Sequence, residues 1–256
     1  MHKRYFFFDI DGTLTDIRNG SIVPSGMDAI RELEAKGHFV AVATGRAYYK
    51  AKGPAEEMGF SNMVANGGAA LVVNKQLIRN KSLDYEPAMA IIKEADELGY
   101  GILVSPSDSI DVVMIKDLCI EPAGERREPT NYIHIDSFDQ LDKIYKIYIS
   151  IPEGEEHRLT RLDTLGHMRF EPPYIMYQFD DKDQGIRDMM AYLEAPIEDV
   201  VVFGDGENDM VMFSDEWTSI AMGNGYPALL EKADYVTSAS YEDGIQKACK
   251  HFGWID

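Results

Sequence analysis

The chain is poor in cysteine and has no long hydrophobic run. Cys119 and Cys249 are its only cysteines, and they stand far apart, at a spacing that fits neither a metal site nor a redox motif. We therefore expect a reducing, cytoplasmic compartment. The first apolar run covers only a few residues before Asp9, which is too short for a signal peptide or a membrane-spanning helix.

Basic residues are also scarce. The 256 residues include 25 Lys and Arg against 44 Asp and Glu, which gives a formal net charge of −19. Such a chain is a poor partner for nucleic acid or for an anionic membrane surface, and it needs a local cation to accept an anionic substrate. Its acidic surface mildly favours a soluble monomer or a weak homo-oligomer.

The first fifteen residues carry the strongest local signal. The apolar run Tyr5–Phe8 stops at two carboxylates, Asp9 and Asp11, which predicts a buried strand that ends at an edge of a sheet. Gly12 follows where the backbone must turn sharply or let another group approach closely. Ligands bind at such strand ends in open α/β sheets, so we expect an active site here.

Apolar runs of strand length alternate with helical patterns near both ends of the chain. This βαβ rhythm predicts an α/β fold with a parallel, Rossmann-like sheet and right-handed crossovers. Asn66-Gly67 fits a hairpin turn, and Gly67-Gly68 could equally serve as a hinge. The predicted helices cover residues 24–36, 48–58 and 182–193, and the predicted strands cover residues 39–43, 63–65, 200–203 and 218–221.

The rhythm breaks in the middle of the chain, where strands come in adjacent pairs. This pattern predicts an inserted α+β unit over residues 81–180, with an antiparallel sheet and helices on one face, between core segments 1–80 and 181–256. One continuous large domain is the alternative. The predicted helices cover residues 86–98, a stretch near 138 and 155–165, and the predicted strands lie near 102, at 110–115, at 146–151, near 168 and at 175–179.

Short polar or glycine clusters end four of the core strands. Because parallel strands end at the same edge of their sheet, these clusters should converge. Carboxylates packed this closely raise one another's pKa, and a hard divalent cation such as Mg²⁺ relieves that repulsion. A phosphate is then the natural substrate, since its oxygens complete the coordination shell. The clusters are Asp9/Asp11, Thr44/Gly45, Asp205/Asn208/Asp209 and Gly223/Asn224.

Four motifs in order along the whole chain resemble the haloacid dehalogenase (HAD) superfamily of phosphohydrolases. They are Asp9–Thr13, Thr44–Arg46, Lys182 and Gly204–Asp209. The length and place of the insert are similar to the Cof-type subgroup with its large C2-type α+β cap. The resemblance implies a Mg²⁺-dependent phosphatase for small phosphorylated metabolites, with sugar phosphates as the expected class and specificity set by the cap.

The resemblance also implies roles for individual residues in catalysis. Asp9 matches the nucleophile that forms an aspartyl-phosphate. Asp11 matches the general acid/base, which protonates the leaving alkoxide and then activates water. Lys182 matches the lysine that offsets the charge of the nucleophile and the phosphoryl group. Metal binding is implied for the side chains of Asp9 and Asp205 and for the backbone carbonyl of Asp11.

Further residues match phosphate-binding and supporting positions. Thr44 and the backbone N–H of Gly45 resemble the group that holds the phosphoryl oxygens. Asn208 resembles a contact on the phosphate side, and Asp209 resembles a carboxylate behind the metal ligands.

Several alternatives stay open at this point. A phosphosugar mutase of the same superfamily has similar motifs, and a binding protein that has lost catalysis is a third reading, although no matched catalytic position is substituted. Asp11 or Asp209 could be simple helix N-caps, and Lys182 could be an exposed lysine. Arg46 could touch substrate or close a salt bridge. Arg126-Arg127 could meet an anionic substrate or lie in a solvated loop.

Overall fold

The computed structural model describes residues 2–120 and 129–256. Its contacts divide the chain into two compact units, a core unit of Met1–Asn80 with Asp181–Asp256 and an inserted unit of Lys81–Asp180. Arg126 and Arg127 lie outside the described residues. Within the described ranges, no helix combines the length and the hydropathy needed to cross a bilayer.

The core unit is built on one sheet, which has eight strands among the described residues. These are β1 Tyr5–Phe8, β2 Phe39–Ala43, β3 Met63–Ala65, β4 Ala70–Val73, β5 Gln76–Asn80, β12 Val200–Gly204, β13 Thr218–Ala221 and β14 Tyr235–Val236. Their order is β14-β13-β12-β1-β2-β3-β4-β5. The strands from β14 to β3 pair in parallel, which confirms the predicted α/β core.

Helices cover both faces of this sheet. The helices of the core unit are α1 Pro24–Ala35, α2 Tyr48–Glu57, α4 Lys182–Tyr192, α5 Pro227–Lys232 and α6 Gly244–His251. On one face α1, α2 and α6 supply side chains to an apolar cluster with Phe6 and Phe8, and on the other face α4 and α5 pack with Phe7. The sheet is therefore the middle layer of an α/β/α sandwich.

The aromatic run of β1 follows from its central position in the sandwich. Phe6, Phe7 and Phe8 are all fully buried, because a strand covered on both faces has no solvent side and needs no polar alternation. Phe8 stacks on Phe203 of β12 with the ring centroids 4.8 Å apart. The packing anchors β1 immediately before Asp9.

The sheet continues beyond the predicted parallel part. Residues 66–68 form a turn that joins β3 to β4 as an antiparallel pair, so the hairpin interpretation of Asn66-Gly67 is confirmed. β4 and β5 were not predicted. Asn74 and Lys75 link them with φ of 49° and 65°, the left-handed pair of a two-residue hairpin turn. An Asn after two valines is the sequence signal for that turn.

The inserted unit has its own sheet, with six strands in the part of the chain that is described. Its elements are α3 Tyr85–Glu97, β6 Gly101–Ser105, β7 Asp111–Met114, β8 Asn131–His134, β9 Lys146–Ser150, β10 His167–Glu171 and β11 Tyr174–Tyr177. The strand order is β10-β11-β9-β6-β7-β8, antiparallel except for β7 with β8. α3 packs on one face over a separate apolar cluster.

Two predicted helices of the inserted unit are wrong. The stretch near residue 138 forms a single 3₁₀ turn, and residues 155–165 contain only the short 3₁₀ turns Glu156–Arg158 and Leu162–Thr164. The backbone N–H groups of Thr160 and Arg161 donate to the carboxylate of Glu94 on α3 instead of to carbonyls one turn back. A tertiary contact thus replaces the helical hydrogen bonds. The short, half-exposed edge strand β8 was also missed.

The Phe8–Phe203 stack yields a stability prediction. Phe203→Ala should lower the free energy of unfolding of the core unit by about 3–5 kcal/mol, because it removes a fully buried ring from a tightly packed layer. Urea unfolding followed by tryptophan fluorescence reports on this unit, since Trp217 and Trp254 both belong to it.

Tyr192→Ala is the matched control for this variant. The Tyr192 side chain is 53% exposed, and its removal should change the free energy of unfolding by no more than about 0.5 kcal/mol. Equal losses in the two variants would contradict the assignment of Phe203 to the core.

Candidate active site

Four neighbouring strands bring their carboxyl ends to one edge of the core sheet. In the order β13-β12-β1-β2 all pairs are parallel, so the segments that follow these strands lie side by side. Asp9 follows β1, Thr44 follows β2 and Asp205 follows β12, while Asn224 lies three residues beyond the end of β13. The convergence expected from the sequence is therefore present in the fold.

The turn after β1 depends on Gly12. Its φ is +87°, a left-handed value that L side chains rarely adopt, and a Cβ placed there would lie 2.1 Å from Oδ2 of Asp205. Both expectations for this glycine hold, because the backbone turns sharply and another group approaches closely. The carboxylate of Asp205 thus packs directly on the backbone of the β1 loop.

Three buried carboxylates surround one buried ammonium group. Asp9, Asp205 and Asp209 each offer an oxygen within 4.8 Å of the others. Nζ of Lys182, the first residue of α4, lies 2.8 Å from Oδ1 of Asp9 and 2.6 Å from Oδ1 of Asp209. Lys182 is only 1% exposed, so the alternative of a surface lysine is wrong.

Asp209 is held from several directions. Its Oδ1 accepts from Lys182, and its Oδ2 accepts from the backbone N–H groups of Asp205 and Gly206 at 3.0 and 2.9 Å. The N-cap alternative for Asp209 is wrong, because the N-cap of the turn Glu207–Met212 is Gly206. Asp209 is the third residue of that turn, and its carboxylate accepts from the N–H of the cap. Asp209 thereby fixes the loop that carries Asp205.

Burial controls the protonation of this cluster. Burial and then the charge of Asp209 raise the pKa of Asp9 to about 8, against the lowering effect of Lys182. Burial also raises the pKa of Asp205 to about 7, against the hydrogen bond from Thr13. For Lys182, burial alone would lower the pKa, but Asp209 and Asp9 more than offset it and shift it upward. Lys182 is therefore a cation at neutral pH.

Asp11 lies outside the buried cluster and is bound by Arg46. Nε and Nη2 of Arg46 donate to the two carboxylate oxygens at 2.9 and 2.5 Å. The Asp11 side chain is 60% exposed. Of the two alternatives for Arg46, a substrate contact or a salt bridge, this structure contains the salt bridge.

The predicted phosphate-binding residues lie on the same edge but form local contacts. The hydroxyl of Thr44 accepts a hydrogen bond from the backbone N–H of Arg46 at 3.1 Å. The backbone N–H of Thr44 donates to the carbonyl of Val64 on β3. Gly45 lies between Thr44 and Arg46, half-buried. Asn208 packs over Gly206, where its Oδ1 lies 2.3 Å from the position of an added Cβ. These contacts do not join the three residues to the acidic cluster.

Two residues that contact Asp205 had no assigned role in the sequence. The hydroxyl of Thr13 donates to Oδ1 of Asp205 at 2.8 Å. Nδ2 of Asn224 donates to Oδ2 of Asp205 at 3.1 Å and to the carbonyl of Gly12 at 2.9 Å. The signal for both was visible, since Thr13 lies within the first motif and Asn224 within the fourth polar cluster.

Comparison with known proteins identifies the family of this chain. The profile of the haloacid dehalogenase-like hydrolase family matches residues 6–249. YkrA of Bacillus subtilis (strain 168), a provisionally named phosphatase, is 29% identical over the full length of both chains. A phosphoglycolate phosphatase of Methanosarcina acetivorans is 26% identical, also over the full length of both.

Solved structures are similar along almost the whole chain. A protein of Geobacillus kaustophilus HTA426 is 26% identical, with a TM-score of 0.84 over 99% of this chain and 100% of its own. The sugar phosphatase BT4131, of HAD subclass IIB, is 25% identical, with a TM-score of 0.78 over the same shares. The resemblance noted in the sequence is thereby confirmed, and the chain belongs to the haloacid dehalogenase-like hydrolases.

Proposed function

We propose that this hydrolase is a Mg²⁺-dependent phosphatase that cleaves small phosphorylated metabolites, sugar phosphates above all, through an aspartyl-phosphate intermediate. The observation that carries the proposal is the contact between the buried Asp9 carboxylate and the Lys182 ammonium. A carboxylate can attack an anionic phosphate only where a fixed cation offsets the repulsion between them. We further propose that the enzyme acts in the cytoplasm as a monomer or weak homo-oligomer.

A divalent cation fits the charge of the cluster. Three carboxylates face a single ammonium group, which leaves an excess of two negative charges when all are ionised. Asp9, Asp205 and the backbone carbonyl of Asp11 would hold the ion with oxygen ligands, as Mg²⁺ prefers. Asp209 is less suited, because Lys182 and two backbone N–H groups already occupy its oxygens. When bound, Mg²⁺ would neutralise charge on the transferring phosphoryl group.

Asp9 would act as the nucleophile. The hydrogen bond from Lys182 goes to Oδ1, and among the described residues no donor binds Oδ2, so one oxygen can bind the cation while the other attacks. Attack forms a bond between a carboxylate oxygen of Asp9 and phosphorus and breaks the ester bond between phosphorus and the leaving oxygen. Hydrolysis of the aspartyl-phosphate then regenerates Asp9 and releases inorganic phosphate.

Asp11 would act as the general acid and base. It would donate a proton to the leaving alkoxide in the first step and take one from the attacking water in the second. Its exposed position, two residues after the nucleophile, leaves it within reach of a leaving group outside the buried cluster.

The remaining residues would bind the substrate. Thr44, the N–H of Gly45 and Asn208 would hold the phosphoryl oxygens with Lys182. We assign substrate choice to the inserted unit, residues 81–180, as the cap domain of a catalytic core formed by residues 1–80 and 181–256. The likeness to a named sugar phosphatase supports sugar phosphates as the first substrates to test.

A first prediction concerns phosphate release from p-nitrophenyl phosphate. The wild type should release phosphate with Mg²⁺ and not with EDTA, and Asp9→Asn should reduce the rate to background because the nucleophile is lost. Asp11→Asn should lower kcat by about 10²–10⁴-fold, the usual contribution of general acid–base catalysis. A colorimetric phosphate assay measures each rate.

The control for these variants is cooperative thermal unfolding in EDTA, which shows that each chain still folds whether or not it binds Mg²⁺. A folded, Mg²⁺-binding wild type that releases no phosphate from p-nitrophenyl phosphate or from a sugar phosphate panel would contradict the phosphatase. Activity that appears only after addition of a sugar bisphosphate would identify the mutase instead.

A second prediction concerns pH and stability without metal. Asp9 and Asp205 have an ordinary pKa of 3.8 when unfolded, but about 8 and about 7 in the fold. Between about pH 4 and pH 8 the folded chain therefore holds protons that the unfolded chain has released, so stability should fall as the pH rises. The measurement is Tm in EDTA at about pH 5 and about pH 8.

Mg²⁺ should raise Tm more at the higher pH, because the ligands must be deprotonated to bind it. Asp9→Asn and Asp205→Asn are the controls. Each should flatten the pH dependence in EDTA, whereas general repulsion in the acidic chain would not be removed by one substitution. A metal-free Tm that rises with pH over this window would contradict the raised pKa values.

A further inference from the structure

We propose that Asn224 is a positioning residue for the cation site, acting through Asp205 and the backbone of the β1 loop. The inference rests on the proposed function, since it assumes that Asp205 and the carbonyl of Asp11 are cation ligands. Asn224 belongs to the one strand-end cluster to which the catalytic scheme gives no task.

The amide of Asn224 connects three segments that are distant in sequence. Its Nδ2 donates to the carbonyl of Gly12 at 2.9 Å and to Oδ2 of Asp205 at 3.1 Å. Its Oδ1 accepts from the backbone N–H of Ser240 at 2.7 Å. These partners fix the orientation of the amide, because two acceptors face its nitrogen and one donor faces its oxygen. The segments after β1, β12 and β14 are thereby tied to the loop after β13, which carries Asn224.

The contact orients Asp205 without cancelling its charge. Asn224 donates to one carboxylate oxygen and Thr13 to the other, and both donors are neutral. Asp209, in contrast, is paired with the cation of Lys182. A carboxylate held by neutral donors has no directly bonded cation that a metal ion would have to displace, so the surroundings of Asp205 suit a ligand and those of Asp209 suit a support. Such outer contacts orient metal ligands in general.

The contact with Gly12 acts on the second expected ligand. The carbonyl of Asp11 belongs to the peptide that precedes Gly12, and Asn224 holds the carbonyl of the peptide that follows it. Gly12 itself has great backbone freedom. Fixing the carbonyl on one side of this glycine limits rotation on the other side, and so limits the directions in which the Asp11 carbonyl can point.

The test is the affinity of the full chain for Mn²⁺, an oxygen-seeking ion that is detectable by electron paramagnetic resonance. Asn224→Ala should weaken Mn²⁺ binding by about 10–100-fold, the usual effect of removing an outer partner of a metal ligand. Thr13→Val removes the other neutral donor to Asp205 at nearly constant size and should weaken binding within the same range. It also provides a second variant if Asn224→Ala folds poorly.

Ser219→Ala is the matched structural control. Ser219 is buried on β13, the strand that leads to Asn224, and its hydroxyl exchanges hydrogen bonds with Asp234, away from the cluster. This control should lower Tm in EDTA without changing the Kd for Mn²⁺. An Asn224→Ala protein that behaves in the same way, with an unchanged Kd, would reduce Asn224 to a structural role and overturn the proposal.

The Mn²⁺-binding test of Asn224 can be separated from the test of the phosphatase activity. An unchanged Kd in Asn224→Ala beside a phosphatase-active wild type overturns only the role of Asn224. A weakened Kd beside a wild type that binds Mn²⁺ but releases no phosphate supports Asn224 and overturns the phosphatase. A wild type that binds no Mn²⁺ overturns the cation site and the role of Asn224 together.

Discussion

The buried ammonium group of Lys182 is the constraint on which the rest of the site depends. A lysine that is 1% exposed is stable as a cation only where anions replace its hydration. Asp9 and Asp209 provide that replacement at 2.8 and 2.6 Å, and they would repel each other if Lys182 were absent. The start of α4 is therefore tied to two loops that lie far from it in sequence. Removing one partner would leave buried charge without compensation, which is costlier than replacing the whole set.

The packing of the apolar strands beneath the site holds these buried charged groups in place. β1 contributes three fully buried phenylalanines, and Phe8 stacks on Phe203 of the neighbouring strand. An aspartate directly follows each of these strands at the same edge of the sheet: Asp9 follows β1, and Asp205 follows β12. Groups that would be hard to bury singly are thus held by strands whose packing is already fixed. The geometry of the site is consequently set by the sheet rather than by the loops alone.

The sequence predicts strands that are visible as local patterns of apolar residues. Prediction fails where contacts between residues distant in sequence determine the backbone conformation. Apolar runs that stop at polar residues were sufficient to predict β1, β2 and β12 and the edge at which they meet, and β13 was predicted beside them although it begins with Thr218 and Ser219. The predicted helix over residues 155–165 failed because Glu94, more than 60 residues away, accepts the N–H groups that a helix would use. The partner of Arg46 was equally hidden, since nothing in its local pattern points to Asp11. The place of Asn224 in a strand-end cluster did indicate the edge that it shares with Asp205, but not the hydrogen bond between them.

Asp9 and Asp11 show how two identical side chains, two residues apart, come to differ. Asp9 is buried beside a lysine and two further carboxylates, whereas Asp11 is largely exposed and paired with Arg46. Contrasting environments of this kind separate a nucleophile from an acid/base group. The strength of the Arg46 pair matters for the second role. Exposed ion pairs are worth only about 0–1 kcal/mol, so a substrate can open this one at little cost.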